Sequence, residues 1–156
     1  MKAQLIFEFL IAGIIFFGVV VYAINTMNTN VADFRSRSYI DRLNSKAIKI
    51  SEILASKSGL ASEWPVFNYE KINEFIDDCH QNYHNLRKKF DLDDTTTYGV
   101  VIPHYFRVYI NTTTEEFYCG PDVPANVSKA EVIRKGIVYD SNVGVYNFLT
   151  MTVWVW

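Results

Sequence analysis

The first 24 residues of this chain have almost no charge. Only Lys2 and Glu8 ionise there, and 30 of the 32 Asp, Glu, Lys and Arg residues lie in the other 132 positions. The mean hydropathy of +0.02 suggests an evenly soluble protein, and this distribution excludes that reading. A basic excess is also missing: the formal net charge is -2, which makes nucleic acid a poor default partner. No Gly-rich phosphate loop, G-x-S-x-G nucleophile elbow or H-E-x-x-H zinc motif occurs, so the familiar signatures of nucleotide, hydrolase and zinc-protease chemistry are absent. There is no internal repeat and no low-complexity tract. A charged fraction of 21% excludes wholesale disorder, and 156 residues suit one domain plus an accessory segment.

What replaces charge at the start is a hydrophobic run. Across residues 5–24, 17 of 20 belong to the hydrophobic class, and Glu8 is the sole charge. Twenty helical residues rise about 30 Å, enough to cross a bilayer core. A cleaved secretory signal would need a basic start, a shorter apolar stretch and a small-residue cleavage site, which Tyr22-Ala23-Ile24-Asn25 does not supply. A plain membrane anchor needs no acid, and a carboxylate at mid-bilayer costs about 2.5–3.5 kcal/mol. An anchor would tolerate Glu8 near the helix start, snorkelling to the interface beside the positive end of the helix dipole, but it gives no reason to have it.

Lys2-Ala3-Gln4-Leu5-Ile6-Phe7-Glu8-Phe9-Leu10 resembles the start of archaeal type IV pilin-like proteins with a class III, prepilin-type signal. Their short basic leader is followed by a small residue, then Gln, with Glu as the fifth mature residue ahead of the apolar helix. Ile6 stands where many members have Ser. The resemblance implies cleavage by a prepilin peptidase between Ala3 and Gln4, recognised through Lys2, Ala3, Gln4 and Glu8, leaving 153 residues with the apolar helix retained. It also implies that Glu8 meets the free N-terminal amine of a neighbouring subunit. Such pairing would offset the cost of burying either charge and would set register during assembly. Gly13 and Gly18 can permit close helix approach, although their i, i+5 spacing is not a GxxxG motif.

Beyond the apolar run, Met27, Val31 and Phe34, then Ile40, Leu43, Ala47, Ile50 and Leu54, keep the three–four spacing of a helical stripe. Arg35, Arg37, Arg42, Lys46, Lys49 and Glu52 fall off it. Arg35 and Arg37 suit a solvated face or contact with lipid headgroups. One long helix is expected over about residues 5–57, with 25–30 as the place for a kink and Gly59 as a C-cap. A parallel coiled coil is the rival reading, but the stripe is short for one. Residues 58–68 read as a loop broken at Trp64-Pro65.

A second helix follows, with Asn68 as N-cap and Tyr69, Ile72, Ile76, Cys79, Tyr83, Leu86 and Phe90 as its apolar stripe. From about Tyr98 the period becomes two, predicting strands at 105–110, 116–119, 132–139 and 145–156 with hairpin-like turns at 111–114 and 140–144. In the last strand Phe148, Thr150, Thr152, Trp154 and Trp156 alternate with Leu149, Met151, Val153 and Val155. The expected class is α+β: a long N-terminal helix, hydrophobic then amphipathic, as a pilin-like stalk, and a globular head holding a second helix and an antiparallel sheet. Ser51-Glu52-Ile53-Leu54 with Gly59 and Trp64, the Cys119-Gly120 strand end and the Trp-containing last strand are also similar to that family. The expected divisions are residues 1–3 leader, 4–26 membrane and filament-core helix, 27–57 stalk helix and 58–156 extracellular head.

Two cysteines, Cys79 and Cys119, suit a disulfide in an oxidising exterior, or else two buried free thiols. Asn111-Thr-Thr and Asn126-Val-Ser are N-glycosylation sequons, both in the head. The positive-inside bias runs the other way, with Lys2 alone on one flank and Arg35, Arg37 and Arg42 on the other; the head-outside orientation follows from the resemblance. His80 and His84 share a helix face with Asp77 nearby, but no clear third ligand accompanies them, and a solvated face is expected rather than a metal site. Cys79 and His80 are adjacent on a helix and point different ways, and His104 stands alone. No catalytic residue, metal or cofactor is expected. The expected partners are membrane lipid, a prepilin peptidase and other pilin-like subunits. The expected role is a surface-filament or pseudopilus subunit, for adhesion or related work. The alternative is a single-pass anchored protein whose exterior domain binds a ligand and never polymerises.

Overall fold

A computed structural model describes the backbone at residues 2–95, 101–140 and 144–156, and the side chains at these positions except 2–6, 95 and 140. The class is α+β, in the order α1 (Lys2–Ala55), β1 (Ala61–Glu63), β2 (Val66–Asn68), α2 (Tyr69–Lys89), β3 (Asp93–Thr95), β4 (Val101–Pro103), β5 (Phe106–Thr112), β6 (Glu116–Cys119), β7 (Ala130–Asp140) and β8 (Val145–Val155). The contacts divide the chain into two compact units, Met1–Tyr39 and Ile40–Trp156.

The first unit is helical. No proline interrupts α1, and the polar stretch 25–30 expected to hold a kink is ordinary helix. Thr26 and Thr29 settle there by donating their hydroxyls back to the carbonyls of Tyr22 and Asn25, both at 2.9 Å.

The second unit is built on the stripe read from the sequence. Leu43, Ala47 and Ile50 are fully buried and Leu54 nearly so, while Ile40 packs against the same core. Gly59 follows the helix as expected but does not take the left-handed cap conformation. Its reason is space: a Cβ there would lie 2.7 Å from the Leu54 carbonyl oxygen. The Leu60 amide closes the turn by donating to that same oxygen at 2.7 Å.

The segment 58–68, expected to be a loop, contains the short hairpin β1–β2, with a cis peptide at Trp64–Pro65. β2 then runs parallel to β7, pairing Val66 with Ile137 and Asn68 with Tyr139. The main sheet is therefore antiparallel except at this one pairing, in the order β1-β2-β7-β8-β5-β6. Gly136 makes the close approach possible, since a Cβ there would stand 2.6 Å from the Phe67 ring and from the Pro65 carbonyl oxygen. Three-residue strands show no measurable period, which is why periodicity missed β1 and β2, as it missed the separate β3–β4 pair.

Helix α2 forms where its stripe predicts. The Asn68 side chain accepts from the Lys71 amide, and Arg87, Lys88 and Lys89 occupy the last turn, where cations complement the helix dipole. Ile72, Ile76, Cys79 and Leu86 are buried, with Tyr69 and Tyr83 packed against them. Asn82 leaves helical geometry, so α2 bends there.

Hairpins β5–β6 and β7–β8 fall where alternation predicts; residues 141–143 of the second turn lie outside the described residues, as does Tyr98. In β8, Leu149, Met151, Val153 and Val155 face the core at 1% exposure or less, and Phe148 on the opposite face is 82% exposed. The disulfide Cys79–Cys119 ties α2 to β6 with a Cα–Cα distance of 5.7 Å. Across a sequence separation of 40 it removes loop entropy from the unfolded chain worth about 4 kcal/mol.

Candidate functional site

Two features of the structure bear on function, one in each unit. The first is the apolar part of α1. Fifteen large hydrophobic residues between Phe7 and Phe34 are exposed, including Phe9 at 80%, Phe17 at 68% and Tyr22 at 73%. They lie on every side of the helix, so no single facing element could cover them. A soluble monomer rarely leaves a contiguous apolar patch of more than a few hundred Å² in water. The stretch is long and apolar enough to cross a membrane. Gly13 and Gly18 have nothing within 4 Å of where a Cβ would sit, so the surface around them is open.

Glu8 is exposed and is the sole charge of residues 5–24; the next carboxylate along the helix is Asp33. Lys2, Ala3 and Gln4 belong to the first turns of α1, and their side chains lie outside the described residues. The cleavage site read from the sequence is therefore placed on the helix by its backbone alone.

The second feature is an ionic cluster in the head that sequence reasoning did not find. Lys46 donates to Asp94 Oδ1 at 2.7 Å, and His104 Nε2 donates to Asp94 Oδ2 at 2.8 Å. Lys46 also reaches the Asp91 carbonyl at 3.1 Å, and Arg87 pairs with Asp93 at 3.2 Å. His104, expected to stand alone, is buried and bonded; its partner is ten positions away in β3, and Lys46 is 48 positions from Asp94. Partial burial pushes the Asp94 carboxyl up, but the hydrogen bonds from Lys46 and His104 and the charge on Lys46 outweigh it and hold the group below its ordinary value. The cluster pins the β3–β4 pair to α1.

The other predicted positions are dispersed. Cys79 is consumed in the disulfide and is not a free nucleophile. His80, His84 and Asp77 are all exposed, and the bend at Asn82 interrupts the helix between the two histidines. Among the described residues no group of three His, Cys, Asp or Glu side chains gathers as a metal site. Asn111 is exposed near the end of β5, and its sequon partner Thr112 is nearly buried, its hydroxyl bonded to the Glu115 backbone. Asn126 is exposed in the segment after β6. Both sequon asparagines are open to solvent.

Compared with known proteins, the chain matches no family model, no curated protein and no solved structure. Its architecture, a long apolar N-terminal helix with a sheet-based α+β unit, is pilin-like.

Proposed function

We propose that this chain is a type IV pilin-like subunit, inserted in the membrane through α1, cut by a prepilin peptidase between Ala3 and Gln4, and assembled into a surface filament or pseudopilus with its head outside the cell. The observation that carries the reading is the exposed, all-round apolar helix with one carboxylate, Glu8, near its start. A bilayer covers such a surface before assembly, and the same surfaces of neighbouring subunits cover it afterwards. Only the assembled state gives Glu8 a use, by pairing with the amine that cleavage creates on a neighbour. The disulfide fits an oxidising exterior. In this reading the protein works by interaction and has no turnover.

The Glu8→Ala variant tests the assembly role. Membrane insertion is expected to persist, because removing a charge favours it, while incorporation into filaments falls at least tenfold. Normal incorporation would count against the Glu8 pairing, whereas absence of the unsubstituted chain from any filament would favour the alternative, a single-pass anchored binding domain that never polymerises.

A further inference from the structure

The face of the main sheet turned away from the core carries a cleft of about 480 Å³, within the about 300–1,000 Å³ range of small-ligand sites. Its floor is Tyr109 on β5 and Trp154 on β8, whose rings lie 6.4 Å apart and tilted by 32°. Its walls are Arg107 and the segment after β6, through Asp122, Val123 and Lys129. The fold places these groups by register: Arg107 and Glu131 stand directly across from Trp154 on its two neighbouring strands. Arg107 is held by an ion pair with Asp122 and lies over the Tyr118 ring at 5.7 Å. Burial first, and the neighbouring Glu116 second, push the Tyr109 hydroxyl above its ordinary value. The aromatic floor thus lies beside a cation and an anion that are already paired with each other.

That chemistry selects an occupant. Of the charged groups lining the cleft, Arg107 and Asp122 neutralise each other as an ion pair and Lys129 alone is left, so the cleft has no strong sign to recruit a polyanion or an isolated cation. It offers flat apolar rings beside both donors and acceptors. A pyranose ring has the matching surface: an apolar C–H face that leaves water against Trp154 or Tyr109, and hydroxyls that both donate and accept around its edge. We infer that the Tyr109–Trp154 cleft binds a neutral saccharide, one ring lying on the aromatic floor with its hydroxyls held by Arg107, Asp122 and Lys129. The site belongs to the head alone and stands whether or not the chain polymerises.

The test uses the full chain carrying Asn126→Gln, so that no glycan of its own can enter the cleft, in micelles of a detergent without a sugar headgroup. Maltopentaose, cellopentaose, mannopentaose and chitopentaose are titrated separately, with choline chloride as the cationic probe. Binding is read by isothermal titration calorimetry for every variant and, where Trp154 is present, also from its indole N–H resonance. At least one saccharide is expected to bind saturably and shift that resonance. Trp154→Phe and Lys129→Ala are each expected to weaken binding, the first about tenfold. Lys129 is exposed, so its replacement keeps the fold even if the strand substitution does not. Absence of saturable binding by all four saccharides at millimolar concentration overturns the inference. So does binding that Lys129→Ala leaves unchanged, or binding of choline in place of the saccharides.

Discussion

The two units of this chain treat apolar side chains in opposite ways. Residues 1–39 display them: Phe9, Phe17 and Phe34 are each at least 68% exposed, and nothing within the unit covers them. Residues 40–156 enclose them: Leu43, Ile50, Phe67, Phe106 and Met151 are completely buried. α1 belongs to both regimes: its stripe begins at Met27, but Met27, Val31 and Phe34 are exposed, and full burial along the stripe starts at Leu43, past the boundary between the units. The difference teaches that the same helical propensity serves two solvents. An all-round apolar helix is stable where the surroundings are themselves apolar, and a striped helix is stable where one face meets a core.

The largest expected effect breaks the chain at this boundary. A chain consisting of residues 40–156 is expected to be soluble without detergent and to unfold cooperatively with its disulfide formed, whereas the full chain partitions almost wholly into membrane or detergent. A truncated chain that aggregates or lacks near-ultraviolet circular dichroism would show that the head does not close its own core.

Next in size is a pair of truncations placed on the two parts of α1. Leu43→Ala is expected to destabilise the head by about 3 kcal/mol in denaturant unfolding, because it empties a fully buried site. Phe17→Ala removes a larger side chain but an exposed one, and is expected to change head stability by less than about 0.5 kcal/mol. Equal effects would erase the distinction between the units.

The smallest effect concerns the ionic cluster. The Asp94 carboxyl titrates lower in the folded head than in the unfolded chain, whose Asp value is about 3.9. Its contribution is therefore fully present above about pH 4 and is lost as pH falls through the lower folded value. With its side chain 35% exposed, solvent screening limits this to under about 1 kcal/mol. Asp94→Asn is expected to lower stability slightly at pH 7 and to flatten the acid limb of the stability–pH curve, with the two proteins converging at the acid end. A variant with an unchanged acid limb would remove Asp94 from the account.

What the sequence made legible was whatever repeats locally. The stripe from Ile40 to Leu54, the cap at Asn68, the seven-residue stripe of α2 and the alternation from Leu149 to Val155 are each visible within a dozen or so positions, and each took its place. The elements that escaped have no local period or depend on distant partners. β1 and β2 are three residues each, and the parallel pairing of β2 with β7 joins Val66 to Ile137. Lys46, Asp94 and His104 come from three separate elements, so nothing in their immediate neighbourhoods marks them as one cluster. The sugar-binding cleft was half visible: Trp154 was assigned to the face opposite Leu149, but its neighbours Arg107 and Tyr109 become neighbours only through strand register. The acid in the apolar helix was the opposite case, since Glu8 stands out in the sequence and the structure adds only that the surface around it is open.

The most direct measurement is the N-terminal residue of the protein recovered from membranes or filaments, read by sequencing or intact mass. The account predicts a chain beginning at Gln4, 153 residues long, with the apolar helix retained. An intact Met1, or a chain beginning beyond Asn25, would contradict it.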